Sequence, residues 1–315
     1  MTPAKVRSGA DPPPLPGAVA RRFEAIMFDW DGTAVPNRQA DASHLRALVE
    51  EACSLGIELA IVTGTSLAHV DDQLRARPDG PGRLLLALNR GSEIFKVDRS
   101  GAHLVERRTA TDAEDAALSR AAVLTVERLA ARGLSAAIVS ERLNRRKIDL
   151  IPEPVWSDPL KSRIDELLAA VQSRLDAAGI AGLSEAVDIA RGAAIDAGLI
   201  DPKVTSDAKY VEIGLTDKSD SVRWIIGELW RRGIAPSQVL VAGDELGPLG
   251  GLPGSDSSLM VDGGTAVSVG VEPNGVPSGV ISLGGGPAMF AAVLGDQIAR
   301  REGSARHRDG TAQTC

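Results

Sequence analysis

Ala25-Ile26-Met27-Phe28-Asp29-Trp30-Asp31-Gly32-Thr33 is the stretch on which the reading of this chain turns. Its first four residues are an apolar run of the length of a short buried strand, and the run stops at a carboxylate. Asp29 and Asp31 stand two apart, so on an extended segment they project to the same side. The carboxyl ends of strands are where an open α/β sheet binds its ligand. Two acids crowded there repel one another unless a cation or a proton is shared. A polar strand end turning at Gly32 would give the same pentapeptide, so the stretch needs support from elsewhere in the chain.

That support comes from other strand ends. Apolar runs at residues 57–62, 84–88, 238–242 and 259–261 are each bounded by Gly, Asp, Asn or Thr in the manner of buried parallel strands. Leu45, Leu48, Val49 and Ala52 share one helical face between the first two runs, and Val222, Ile225, Ile226 and Leu229 repeat that spacing before the fourth. The alternation predicts an α/β fold with a Rossmann-like, doubly wound parallel sheet. Thr63-Gly64-Thr65-Ser66 follows the second strand, where a hydroxyl and backbone N–H groups could hold a phosphate oxygen, although Thr65 or Ser66 would serve equally as a plain helix cap. Lys218 heads a predicted helix, a place the helix dipole makes unfavourable for a cation unless an anion lies nearby. Gly243-Asp244-Glu245 ends the fourth strand and supplies acids of the kind a divalent cation requires.

The middle of the chain differs in texture. A hairpin is predicted over 93–97 and 103–106 around Ser100-Gly101, then a helix over 112–132, strands at 136–140 and 147–151, a helix over 158–178 and a less regular stretch to Asp201. This mixture predicts an inserted α+β cap at 91–207 that divides the core domain into 21–90 and 208–298. Residues 1–20, with Pro12, Pro13, Pro14 and Pro16, and residues 299–315 are expected to be mobile tails. Composition narrows the partners. With 35 basic against 42 acidic side chains, a net charge of -7 and 3% aromatic residues, the chain lacks the footprint of a nucleic-acid binder. No uninterrupted apolar run reaches the roughly eighteen residues of a membrane span, and a Pro-rich, polar N-terminus has no secretory apolar region, so a cytoplasmic location is expected. Cys53 and Cys315 cannot build a disulfide framework, and neither has a His or Cys at metal-ligand spacing.

Taken in this order, the elements over 22–92 and 208–295 resemble the haloacid dehalogenase superfamily of aspartate-nucleophile phosphotransferases. The resemblance implies that Asp29 attacks phosphorus, that Asp31 protonates the leaving oxygen and then activates water, and that Thr63, Gly64 and Lys218 hold the phosphate. It also implies Mg²⁺ (magnesium) bound by the Asp29 carboxylate, the Asp31 backbone carbonyl and Asp244. An insert after the third strand corresponds to the larger, C2-type cap of subgroup two, which includes sugar-phosphate phosphatases, the trehalose-phosphatase group and phosphomannomutases. Leu88-Asn89-Arg90-Gly91-Ser92-Glu93-Ile94 resembles their turn into the cap. The implied activity is hydrolysis of a small phosphorylated metabolite, a sugar phosphate, by a monomer or homodimer with neither nucleic acid nor membrane as partner. The alternatives are a phosphomannomutase-like phosphosugar mutase and a catalytically silent sugar-binding or regulatory module on the same fold.

The chain departs from the family pattern in two places. After Gly243-Asp244 it reads Glu245-Leu246-Gly247-Pro248, which makes Glu245 the adjacent acid and Asp256, beyond a Gly-rich stretch, the candidate supporting acid. The second strand ends in Thr-Gly-Thr where Thr-Gly-Arg is common, so an Arg contact of some relatives is missing. In the cap, Asn144-Arg145-Arg146-Lys147 is a compact cationic group, and Asn89, Arg145, Arg146 and Lys147 are the candidate cap contacts to a sugar acid or second phosphate. Such a run is also what a solvated face looks like. His44, His69 and His103 stand alone and are expected at the surface, while Trp30 is expected to pack into the sheet.

Overall fold

The strand that ends at Asp29 lies at the centre of the molecule. The computed structural model describes residues 14–157 and 163–312, and residues 1–13, 158–162 and 313–315 lie outside that description. The central sheet has eight strands: β1 (Ala25–Phe28), β2 (Glu58–Val62), β3 (Leu84–Leu88), β4 (Glu93–Asp98), β5 (Gly101–Arg107), β10 (Val239–Gly243), β11 (Thr265–Ser268) and β12 (Val280–Ser282). Their order is β12-β11-β10-β1-β2-β3-β4-β5. β1 pairs in parallel with β10 on one side, Phe28 against Ala242, and with β2 on the other, Phe28 against Ile61. The chain therefore leaves β1 in one direction and later returns to build the other half. The carboxyl end of β1 is thus the switch point at which a doubly wound sheet opens a crevice.

Both faces of this sheet are covered, which is why its strands read as unbroken apolar runs. Ile26, Phe28, Leu59, Ile61, Leu84 and Leu86 face one layer with Val49 and Ala52 of α1 (Ser43–Ser54) and Phe290 and Val293 of α7 (Gly286–Ala312). The rings of Phe28 and Phe290 lie 4.5 Å apart between centroids. The alternate residues Ala25, Met27, Ala60, Val62, Leu85 and Ala87 face Val222, Ile225 and Leu229 of α6 (Lys218–Arg231). A short α2 (Leu67–Leu74) follows the Thr63 turn.

Between β5 and α6 the chain builds a second sheet, antiparallel and four-stranded, in the order β6-β7-β9-β8. Its strands are β6 (Ala137–Arg142), β7 (Arg145–Asp149), β8 (Lys203–Asp207) and β9 (Tyr210–Gly214). It packs on α3 (Asp112–Ala130), α4 (Ile164–Ala177) and α5 (Leu183–Asp196) around a separate apolar core that includes Leu118, Ile148, Val171, Val187, Val211 and Ile213. Thr111 and Glu114 close a capping box at the start of α3. The architecture is a mostly parallel sheet between helices with an antiparallel cap sheet inserted, as the sequence predicts.

Several local expectations are corrected. Residues 259–261 are not a strand: Ser257–Leu259 forms a 3-10 turn with Leu259 buried against the α6 layer, and the strand β11 begins only at Thr265. Three apolar residues are too few for periodicity to separate a buried turn from a strand. The hairpin β4-β5 does not belong to the inserted sheet but extends the central one, because β4 pairs antiparallel with β3. Gly91 makes that reversal at φ 89°, and a Cβ there would stand 2.1 Å from the Asp217 carbonyl oxygen. β9 pairs with β7 inside the inserted sheet. The irregular stretch before Asp201 contains the helix α5, and the helix expected over 158–178 is seen from Ile164. The residues expected to be a C-terminal tail continue α7 as far as Ala312, with Arg301 buried beside Glu24 and the Phe23 carbonyl. At the other end, Val19 is fully buried in the core. Among the described residues no helix is long and apolar enough to cross a membrane.

Candidate active site

Alternation beyond β1 sorts the pentapeptide. Trp30 turns into the core, fully buried, its Nε1 donating to Gln73 Oε1 at 3.2 Å, and so leaves its two neighbours to the crevice. Asp29 is buried, and its backbone N–H donates to the Ala242 carbonyl at 3.1 Å, tying it to β10. Asp31 is partly exposed; its Oδ2 accepts from the Thr65 hydroxyl at 3.1 Å and lies 3.7 Å from Arg38 Nε. Thr33 donates from its hydroxyl to Asp244 Oδ1 at 3.1 Å, linking this loop to the end of β10.

Lys218 supplies the answer to its unfavourable position at a helix start. Asp217 caps α6 and forms a capping box with Asp220, which aims the first residue of the helix into the crevice. Lys218 Nζ donates to Asp29 Oδ1 at 2.7 Å and to Asp256 Oδ1 at 2.6 Å. Burial alone would depress the ammonium, but the carboxylates of Asp256 and Asp29 outweigh it and hold the group above the ordinary lysine value.

Asp256 has a larger place than the sequence suggests. It is buried, and its Oδ2 accepts the backbone N–H groups of Asp244 at 3.0 Å and Glu245 at 3.1 Å, while Oδ1 takes Lys218. One carboxylate thereby fixes both the lysine and the loop that carries Asp244. Gly243 allows this approach, because a Cβ there would stand 2.8 Å from Asp256 Oδ2. Asp29, Asp244 and Asp256 each offer a carboxylate oxygen within 4.8 Å of the others, a buried group able to hold a metal ion. The donors are hard carboxylate oxygens, the kind that Mg²⁺ takes, so the residues present fit that ion. Glu245 is not in this group; its Oε2 accepts from Ser255 at 2.9 Å on the loop side.

Thr63 is buried at the end of β2, and its Oγ1 accepts the Thr65 N–H at 3.2 Å, closing the turn around Gly64. The cap candidates separate. Arg145 Nη2 donates to the Gly64 carbonyl at 2.7 Å, and Arg145 Nη1 lies 3.2 Å from Glu212 Oε2. Lys147, on the same face of β7, lies 2.9 Å from Glu212 Oε1. Arg146 points to the other face, toward Asp115 at 2.8 Å and Ser119 at 3.0 Å on α3, so the run is not one cluster turned toward a ligand. Asn89, at φ 51°, donates to Glu93 within its own turn, and Asn144 bridges the Ala110 N–H and Ser92. His44, His69 and His103 are exposed.

Two residues at this junction were not singled out by sequence. Arg90 follows Asn89 in the turn after β3, and its Nε lies 2.6 Å from Glu212 Oε2. Glu212 sits on β9 directly across from Lys147, between the buried Val211 and Ile213. The signal was a lone acid within an apolar strand, and only the strand register shows which cations it meets.

No family model and no curated protein matches the chain. Solved structures do. An N-terminally truncated Plasmodium falciparum IMP-nucleotidase is 15% identical over 89% of this chain and 71% of its own, with a TM-score of 0.56. An IMP-bound mutant of the same protein is 13% identical over 88% and 68%, with a TM-score of 0.54. A Eubacterium rectale structure is 11% identical over 86% and 98%, with a TM-score of 0.50. At such identities the likeness concerns the fold. Element order, sheet topology and these neighbours agree that the chain has the haloacid dehalogenase fold, with an antiparallel cap sheet inserted between β5 and α6.

Proposed function

We propose that this protein is a Mg²⁺-dependent phosphatase that hydrolyses a small phosphorylated metabolite, a sugar phosphate above all, through a phosphorylated Asp29. The observation that carries this reading is the Lys218 ammonium held between Asp29 and Asp256 in a buried crevice, with Asp31 two residues along the same strand end. Phosphoryl transfer asks for in-line positioning and charge neutralisation more than for unusual reactivity, and these groups supply both.

Asp29 attacks phosphorus from the end of β1, forming an oxygen–phosphorus bond while the bond to the leaving oxygen breaks. Asp31 gives its proton to that leaving oxygen, then takes one from the water that attacks the aspartyl phosphate, releasing inorganic phosphate and restoring Asp29. Thr63, the Gly64 N–H and Lys218 bind the phosphoryl oxygens. Asp256 keeps Lys218 and the Asp244 loop in register. Asp29, Asp244 and the Asp31 carbonyl would hold Mg²⁺, which would supply positive charge to the phosphoryl group.

The test is phosphate release from a panel of sugar phosphates, IMP and an aryl phosphate, with Mg²⁺ and with excess chelator. IMP belongs there because a neighbour of this fold binds it. The expected result is stoichiometric phosphate from at least one member, lost in chelator, with no bisphosphate activator required. Isomerisation that depends on added bisphosphate would replace this reading with the mutase. A folded protein that releases phosphate from no member would leave the silent binding module.

A further inference from the structure

We propose that the hairpin over residues 246–254 is a strap through which the cap positions the metal-binding acids Asp244 and Asp256. Its tip is seated on the cap helices and its base closes on the two acids, so freeing the tip weakens Mg²⁺ binding in the crevice, and bound Mg²⁺ in turn steadies the cap. The coupling rests on the assignment of Mg²⁺ to the crevice.

The tip is built to dock. Between Asp244 and Asp256 the chain is Gly and Pro throughout, apart from Glu245, Ser255 and three leucines, Leu246, Leu249 and Leu252. Leu249 and Leu252 exchange backbone hydrogen bonds, the Leu249 N–H donating at 2.8 Å and the Leu252 N–H at 3.1 Å. The two residues between them, Gly250 and Gly251, stand at φ 57° and 80°, the positive values that a two-residue hairpin turn asks for at both centres. A turn flanked by leucines would leave two large apolar side chains in water, and here both are half-buried against the apolar core of the cap. The approach is close. A Cβ on Gly250 would stand 2.6 Å from Leu183 Cδ1 of α5 and 3.8 Å from Leu168 Cδ2 of α4.

The base is pinned to the core along its length. Asp256 donates its N–H to the Glu245 carbonyl at 3.0 Å, and its Oδ2 takes back the N–H groups of Asp244 and Glu245. On the outer side the Glu272 carboxylate accepts the N–H groups of Leu246 at 2.9 Å and Gly247 at 3.0 Å, and Asn274 Nδ2 donates to the Pro248 carbonyl at 3.0 Å. Leu246 is buried in the core layer that contains α6. Leu249 follows Asp244 by five positions and Leu252 precedes Asp256 by four. So short a segment, held at both ends, passes a displacement of the cap on to the acids in place of absorbing it. Asp29, the third acid of the group, comes from β1 and has no part in the hairpin. The group is therefore complete only when the hairpin carries Asp244 and Asp256 to it.

The experiment is calorimetric titration of the full chain with Mg²⁺ alone, comparing wild type, Leu249→Ser/Leu252→Ser and Leu168→Ala. Hydrogen–deuterium exchange of the same three proteins, in chelator and in Mg²⁺, is read beside it. The expected result is Mg²⁺ affinity about fivefold or more weaker in the hairpin variant, the range of coupling between linked sites, with a shift in the same direction for Leu168→Ala although Leu168 belongs to the cap. Linkage is reciprocal, so in wild type Mg²⁺ should slow exchange over residues 244–256 and also in the α4 and α5 peptides that contain Leu168 and Leu183. The slowing in α4 and α5 should be lost in the hairpin variant. Should that variant fail to fold, Leu168→Ala, at a half-buried position, carries the comparison. Unchanged Mg²⁺ affinity in the variants, or slowing confined to residues 244–256 in wild type, would overturn the strap and leave the metal in the crevice. A folded wild-type chain that binds no Mg²⁺ would remove the metal reading and the coupling with it.

Discussion

Two buried charge clusters, one mainly acidic in the core crevice and one mainly basic where cap meets core, mark this molecule. In the crevice, Asp29 and Asp256 hold one cation, Lys218, and Asp244 stands beside these two acids. At the junction, Arg90, Arg145 and Lys147 surround one anion, Glu212. In each, one side chain pairs with several of the opposite sign. The difference lies in what carries them. The acid cluster is built from strand ends and a helix start of one sheet, so it exists whatever the cap does. The cationic cluster joins β7 and β9 of the cap to the turn after β3, so it exists only with the cap in this position. The crevice offers hard carboxylate oxygens of the kind a divalent cation takes, whereas the junction ties cap to core through buried ion pairs.

The comparison breaks first in the crevice. Asp29→Asn should lower phosphate release by about 10⁴-fold or more, as loss of a covalent nucleophile does, measured beside wild type on an aryl phosphate. Asp31→Asn should cost about 10²- to 10⁴-fold, the range of general acid–base catalysis, and a loss below about tenfold would count against its role. Asp256→Asn keeps the shape but weakens the hold on Lys218 and on the Asp244 and Glu245 amides. An effect of about 10- to 100-fold on Mg²⁺ activation is expected from a group that orients metal ligands, read as a shift in the Mg²⁺ concentration for half-maximal rate.

At the junction the expected effect is on stability more than on rate. Glu212→Gln removes the carboxylate that pairs with Arg90, Arg145 and Lys147 and should destabilise the fold by about 3 kcal/mol in urea titration. Burial alone would raise the Glu212 carboxyl, but Arg90, Arg145 and Lys147 outweigh it and hold it well below the usual carboxylate range. A depressed acid stabilises fully above its unfolded value, near pH 4, and loses that contribution as pH falls toward its folded value. Wild type should therefore lose more stability than Glu212→Gln between about pH 5 and pH 3, and parallel curves would show that the cluster does not depend on this charge. The smallest effect concerns Cys53, buried in the core, where burial, with Glu58 and Glu50 adding to it, pushes the thiol up to about 12. It should resist iodoacetamide at neutral pH in the folded chain and react on unfolding, as peptide mass mapping would show.

The same contrast separates what was legible in the sequence from what was not. The crevice announces itself locally: two acids end an apolar run, and a lysine stands where a helix dipole opposes it. Asp256 was only loosely visible, because a Gly-rich loop returns it to Asp244 across twelve positions by hydrogen bonds that no local pattern encodes. Leu259 was misread because a buried apolar residue in a turn and one in a short strand leave the same trace. The hairpin after β3 was recognised, but which sheet it joins is decided by a free edge and not by the hairpin itself. Arg145 and Arg146 look alike in sequence, and only the pleat of β7 sends one to Gly64 and the other to α3. Glu212 and Arg90 gain meaning only once cap and core are placed together.

The central claim is that phosphate passes through Asp29, and trapping the intermediate tests it most directly. In Asp31→Asn the water-activating base is gone, whereas an aryl phosphate with a good leaving group still permits the first transfer. Incubated with Mg²⁺ and 4-nitrophenyl phosphate, quenched in acid and mapped by mass spectrometry, this variant should carry one phosphoryl group on the peptide containing Asp29, and Asp29→Asn/Asp31→Asn should carry none. Turnover by wild type with no adduct at Asp29, or undiminished turnover by Asp29→Asn, would contradict the account.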